Sequence, residues 1–151
     1  MNNQDTAVAT VSNNNNVAQP NADIFKGQNY YNSIDVTNEA NAVKLYNAVE
    51  SCDVLVKDVI GQKIKLQDVY IEKYMKEENG AQKVKFRTIL FDASGKTYVS
   101  TAYGIVNSIA KIIRIFGEPS TWTEPKTVEF ATRSLKDGRS SYLLKLVTDK
   151  K

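Results

Sequence analysis

The run Ile60-Gly61-Gln62-Lys63-Ile64-Lys65-Leu66-Gln67-Asp68-Val69-Tyr70-Ile71-Glu72-Lys73-Tyr74-Met75-Lys76 alternates like a β-strand, but in two phases. Ile64 and Leu66 are two apart, as one face of a pleated strand requires. Val69 and Ile71 are also two apart, yet out of step with the first pair. In a regular strand the two pairs would point to opposite faces. A β-bulge or a strong bend between them returns both to one core. The run therefore predicts one long bent strand over about residues 60–76, of the kind needed when a single strand serves both halves of a barrel.

The chain after it is punctuated in the same style. Asn79-Gly80 is the favoured two-residue hairpin turn, with a return strand from Gln82 to Phe91. Asp92-Ala93-Ser94-Gly95 makes a second turn and Lys96–Thr101 a third strand. From Tyr103 to Phe116 the period lengthens. Ile105, Ile109, Ile112, Ile113 and Phe116 mark one face of a helix, and Asn107, Ser108, Lys111 and Arg114 the polar side. Gly117 stands where a helix C-cap glycine is expected, with Pro119 beyond it. A loop over 118–125 containing Trp122 leads to two more strands, Lys126–Ser134 and Arg139–Val147, joined at Lys136-Asp137-Gly138. The expected fold is mainly β with helices: an OB-fold-like, five-stranded, partly open Greek-key β-barrel with a helix between strands 3 and 4. A half-open antiparallel sheet with one covering helix and an α+β sandwich are the alternative architectures.

Upstream the pattern weakens. Thr37 is a plausible N-cap with Glu39 in the first turn, and Ala40, Val43, Leu45, Tyr46 and Val49 follow at helical spacing, so an N-terminal helix is expected from about Asn38 to Ser51. Cys52, just past it, reads as a small buried hydrophobe, since no His exists to activate it. Residues 23–35 carry Ile24, Phe25, Tyr30, Tyr31 and Ile34 and are expected to be a semi-ordered segment packing on the domain. Residues 1–22 are Asn-rich and without an apolar period, the composition of a disordered tail. The chain divides into that tail, an extension over 23–58 with one helix, and an OB-like domain over 59–148.

Composition removes whole classes of chemistry. The 151 residues contain one Cys and no His. A disulfide framework, a Cys-based zinc site, His ligands and the commonest general base are all excluded. Glu77 and Glu78, or Asp68 and Glu72, read as solvated surface charge. Gly95-Lys96-Thr97 lacks the preceding glycine and following helix of a phosphate loop. No enzyme activity, metal or cofactor is expected. There is no apolar run of about 18 residues for a membrane span. Nor is there a charged leader running into an apolar stretch, so no signal peptide is expected and the cytoplasm is the expected compartment.

The net charge of +3 conceals a division. Residues 1–59 hold three basic and seven acidic side chains; residues 60–151 hold seventeen basic and ten acidic. A basic barrel after an acidic leader points to a polyanionic partner. The cations are interleaved with aromatics on the expected strands: Tyr70, Lys73 and Tyr74; Lys83, Lys85 and Arg87; Lys96 and Tyr98; Arg133, Arg139 and Tyr142, with Trp122 in its loop. Lys83, Lys85 and Arg87 alternate and so share a face, with Val84, Phe86 and Leu90 on the other. Cations that track phosphates and rings that stack on bases are what a single-strand binder needs. These twelve residues are the expected nucleic-acid site.

The segments Asp68-Val69-Tyr70-Ile71-Glu72-Lys73-Tyr74, Arg87-Thr88-Ile89-Leu90-Phe91-Asp92, Gly95-Lys96-Thr97-Tyr98, Tyr103-Gly104-Ile105-Val106-Asn107-Ser108-Ile109 and Ile115-Phe116-Gly117-Glu118-Pro119, then Trp122 and Pro125, fall in order. Over about residues 54–147 the chain resembles the small single-stranded-DNA-binding proteins of tailed phages that infect Gram-positive bacteria. The resemblance implies a non-enzymatic replication protein that coats displaced single strands, with replication proteins as possible further partners. It supplies no set of DNA-contacting residues. One departure stands out. Many such proteins end in an acidic recruiting tail, whereas this chain ends Thr148-Asp149-Lys150-Lys151. Partner recruitment is then expected to work differently, or the protein simply to coat DNA. A protein-interaction or virion structural module and a single-stranded RNA binder are the competing readings.

Overall fold

In the computed structural model, which describes residues 22–148, the two phases of the opening run do share one core. In chain order the elements are α1 (Ala22–Phe25), β1 (Tyr30–Asn32), α2 (Glu39–Glu50), β2 (Val54–Leu55), β3 (Lys63–Glu78), β4 (Ala81–Asp92), β5 (Thr97–Ser100), α3 (Tyr103–Phe116), β6 (Lys126–Ser134) and β7 (Ser140–Leu146). Short 3₁₀ turns cover Val56–Asp58 and Pro119–Thr121. The expected disordered tail falls, but for Ala22, outside the described residues.

Strand β3 organises the sheet. Leu66 pairs with Asp92 and Asp68 with Phe91, so Gln67 is an extra residue with no counterpart on β4. This bulge lets Ile64, Leu66, Val69 and Ile71 all be buried in the same cluster. Before the bulge β3 pairs with β6; from it onward β3 pairs with β4, and with β1 along Tyr30–Asn32. The sheet has seven strands in the order β2-β5-β4-β3-β6-β7, with β1 joined to β3 beside that path. It curls into a half-barrel accompanied by helices, mainly β and compatible with an OB-like barrel. The strand count exceeds the expected five because β1 and β2 come from the N-terminal extension. That segment is no loose attachment: Phe25 and Tyr31 belong to the main core, and Ile34 to the second.

Two apolar clusters hold the two faces of the sheet. Inside the curl, Leu66, Val69, Ile71, Phe86, Leu90, Tyr98, Val128 and Phe130 meet Ile105, Val106, Ile109 and Ile112 of α3. Outside it, Ile89 and Phe91 lie under Leu45, Ala48 and Val49 of α2. Burial of each such side chain contributes about 1.5–3 kcal/mol. Cys52 is partly buried against this outer cluster. Helix α2 is capped by Asn38 rather than the expected Thr37. The Asn41 N–H donates to the Asn38 side chain at 3.1 Å, while Thr37 turns back to Asp35. Gly117, at φ 88°, ends α3 as expected, its N–H bonded to the Ile113 carbonyl.

Helix α3 runs close against the edge strand β7. A Cβ on Gly104 would collide with the Tyr142 carbonyl oxygen. One turn on, Ser108 Oγ accepts a hydrogen bond from the Leu144 N–H at 3.0 Å. Two small residues four apart thus let the helix lie on the strand and satisfy a donor of its free edge.

Candidate nucleic-acid interface

Beyond about residue 73 the β3–β4 hairpin emerges from its covering helices. Asn79 and Gly80 both have positive φ, 53° and 81°, as the tight turn at its tip requires. Register fixes what each face presents. Tyr70, Glu72, Tyr74 and Lys76 oppose Ile89, Arg87, Lys85 and Lys83, so they share the outer face. Lys73 and Met75 oppose Phe86 and Val84 on the other face. Tyr74, Met75 and Val84 are exposed at 39%, 57% and 51%, a concentration of apolar side chains that no described residue covers.

Charge on this arm is only partly balanced. Lys85 pairs with Glu78 at 3.1 Å, and that hydrogen bond holds the Glu78 carboxyl below its ordinary range. Lys76 and Lys83 stand directly opposite one another, and neither forms an ion pair among the described residues. Like charges in register destabilise a ladder. Their juxtaposition suits a polyanion lying across the arm. The Lys73 ammonium sits 4.8 Å from the Phe25 ring, on the inner face. Tyr70 stacks on Tyr30, with centroids 6.4 Å apart. Its hydroxyl donates to Glu72 Oε1, and burial first, then the Glu72 carboxylate, pushes its pKa up to about 12.

Arg87 shares the arm's outer face, but its guanidinium is already engaged. It donates to Glu72 Oε2 at 3.2 Å and to the Val49 carbonyl at the end of α2 at 2.9 Å. These bonds tie α2 to the sheet, so the guanidinium is less available to a phosphate than the alternating stripe suggests. Tyr98 is a plainer correction. It is 2% exposed, packed on Phe130 at 5.3 Å, with its hydroxyl accepting from Gln62. A ring in the core cannot stack on a base.

The remaining expected residues divide. Lys96 is exposed at the turn between β4 and β5. Trp122 packs against the core, its indole N–H donating to the Gly117 carbonyl at 2.9 Å. Neither joins the arm. Arg133, Arg139 and Tyr142 instead meet at a cleft of about 740 Å³ between α3 and β7, with Tyr103, Asn107 and Lys111 on its helical wall. A neighbouring cleft of about 520 Å³ shares Ala102 and Tyr142 with it and adds Lys57 and Arg87. Sequence reasoning placed Lys76 among the cations of the first strand but left it out of the expected site, and it did not nominate Lys57, Tyr103 or Lys111. Lys76 could have been kept from its position opposite Lys83 across the Asn79-Gly80 turn.

Residues 25–146 match the family model described as phage single-stranded DNA-binding protein. The chain belongs to that family. No curated protein and no solved structure matches it. Membership in the phage single-stranded DNA-binding family supports single-stranded DNA as the partner.

Proposed function

We propose that the protein coats and protects single-stranded DNA during phage DNA replication or recombination, in the host-cell cytoplasm, without preference for sequence and without catalysing a reaction. The observation that carries this reading is the uncovered arm, where Lys76 and Lys83 face each other beside Tyr74 and Lys85. Cations in a row hold phosphates whatever the bases, and a tyrosine face stacks on any base at about 1–3 kcal/mol. The DNA would run from the arm toward Arg133, Arg139 and Tyr142, so that the hairpin turn and the loop between β6 and β7 flank one path, as in OB-like oligonucleotide binders. The finer barrel description, a five-stranded Greek key with added N-terminal strands, belongs to this reading.

Titration of a labelled oligo-dT and of a duplex of equal length, each at two salt concentrations, tests it. The expected result is tighter binding of the single strand and an affinity that falls steeply with salt. Equal or tighter duplex binding would overturn it. An RNA oligomer of the same length and base composition tests the RNA reading, since only 2′-hydroxyl contacts separate the two. The structural-module reading predicts stable assemblies free of nucleic acid.

A further inference from the structure

We propose that the cleft between α3 and β7 is a nucleotide subsite: it takes one base of the bound strand against Tyr103 and Tyr142, with the adjoining phosphates on Lys111 and Arg133. The inference rests on single-strand binding and deepens it. The cleft's walls carry three cations, Lys111, Arg133 and Arg139, and no carboxylate among the described residues that line it. Arg139 is partly balanced by Asp137 at 2.6 Å, which leaves Lys111 and Arg133 as the stronger attraction for an anion. The volume of about 740 Å³ lies in the range of small-molecule sites. The floor is apolar, including Ile112, Leu143 and Leu144. Cationic walls over an apolar floor fit a ligand that is both flat and anionic, which describes a nucleotide.

Three further features support an occupant. Tyr103 is 42% exposed although its ring is braced against Phe86 at 5.4 Å, so the ring is held in place at the cleft wall. Asn107, one turn along the same helical stripe, lines the cleft, and its amide oxygen is shielded without a hydrogen-bond partner. Buried polar atoms are rarely left so, and a base edge in the cleft could satisfy the amide once it turns. The cleft is also preformed, because Gly104 and Ser108 fix α3 against β7. Through Ala102 and Tyr142 it continues into the neighbouring cleft with Lys57 and Arg87, which leads back to the face that the arm extends.

The test uses the full chain, an oligo-dT with scattered 5-iodouracil for photo-cross-linking, and the variants Lys111→Gln, Tyr103→Leu and Tyr103→Phe. Cross-links on peptides from α3 and β7 are expected. Lys111→Gln should reduce the slope of log affinity against log salt by about 0.7, the value of one phosphate contact on a single strand. Tyr103→Leu should weaken binding roughly fivefold or more, and Tyr103→Phe, which keeps the ring, should restore it. Cross-links confined to β3 and β4, with an unchanged salt slope for Lys111→Gln, would overturn the cleft and leave the function standing. Failure of the unchanged chain to bind oligo-dT would overturn both. The cross-link map and the exposed Lys111 decide the matter even if Tyr103→Leu loosens the fold.

Discussion

The same two strands, β3 and β4, build both the most buried and one of the most exposed parts of the molecule. Around Val69, Ile71, Ile89, Leu90 and Phe91 the pair is covered on both faces, by α3 within the curl and α2 outside it. Around Tyr74–Lys76 and Lys83–Val84 neither face is covered by a described residue. Pairing is continuous along the hairpin, so the difference lies in what is laid over it. Fold stability is concentrated at the base, so side chains on the arm are held by few packing constraints.

Substitutions can break that separation. The largest effect is expected from Phe91→Ala, which should cost about 3–5 kcal/mol in urea unfolding. DNA binding should persist wherever the variant remains folded. Arg87→Ala comes next. It leaves the Val49 carbonyl and Glu72 without their guanidinium partner, and about 1.5–3 kcal/mol of stability should be lost. A loss of affinity without any loss of stability would return Arg87 to the binding side. On the arm the effects should reverse. Tyr74→Ala should weaken oligo-dT binding by about 1–3 kcal/mol, with unfolding moved by no more than about 0.5 kcal/mol. Lys76→Gln and Lys83→Gln should each lower the salt slope by about 0.7. Relief of the like-charge pair should leave the fold as stable or slightly more so.

The smallest effect concerns pH. The raised pKa of Tyr70 means that the folded state keeps its proton more firmly than the unfolded chain. The stabilisation is complete below the ordinary tyrosine value near 10 and is lost as pH rises from there through about 12. Titration of phenolate absorbance, compared with Tyr70→Phe, should show this step; its absence would mean that Tyr70 is more open than its contacts with Tyr30 and Glu72 imply.

Local pattern carried most of the fold. Helix α3 and strand β6 have the expected bounds, because period and punctuation there lie within a few residues. The bulge was legible because only an extra residue reconciles Ile64 and Leu66 with Val69 and Ile71. Strands β1 and β2 were missed because three and two residues display no period. The site was less legible. Alternation shows that Tyr98 has a face but not which face is inward, and only its pairing with Leu90 decides that. The engagement of Arg87 depends on a backbone carbonyl 38 residues away. The α3–β7 cleft arises from the close approach that Gly104 permits, which no spacing within α3 reveals.

Gln67 sets a parity rule for this molecule. Downstream of it, every side chain's inward or outward address is counted from that one unpaired residue. Removing Gln67 would exchange the two sets, sending Tyr70, Tyr74 and Lys76 to the inner face and Val69 and Ile71 to the outer one. The hairpin can therefore lengthen or shorten by even steps on each strand and keep its chemistry, but a single-residue change between Gln67 and the tip would invert it. Length variation among related chains should accordingly come in matched pairs about the Asn79-Gly80 turn.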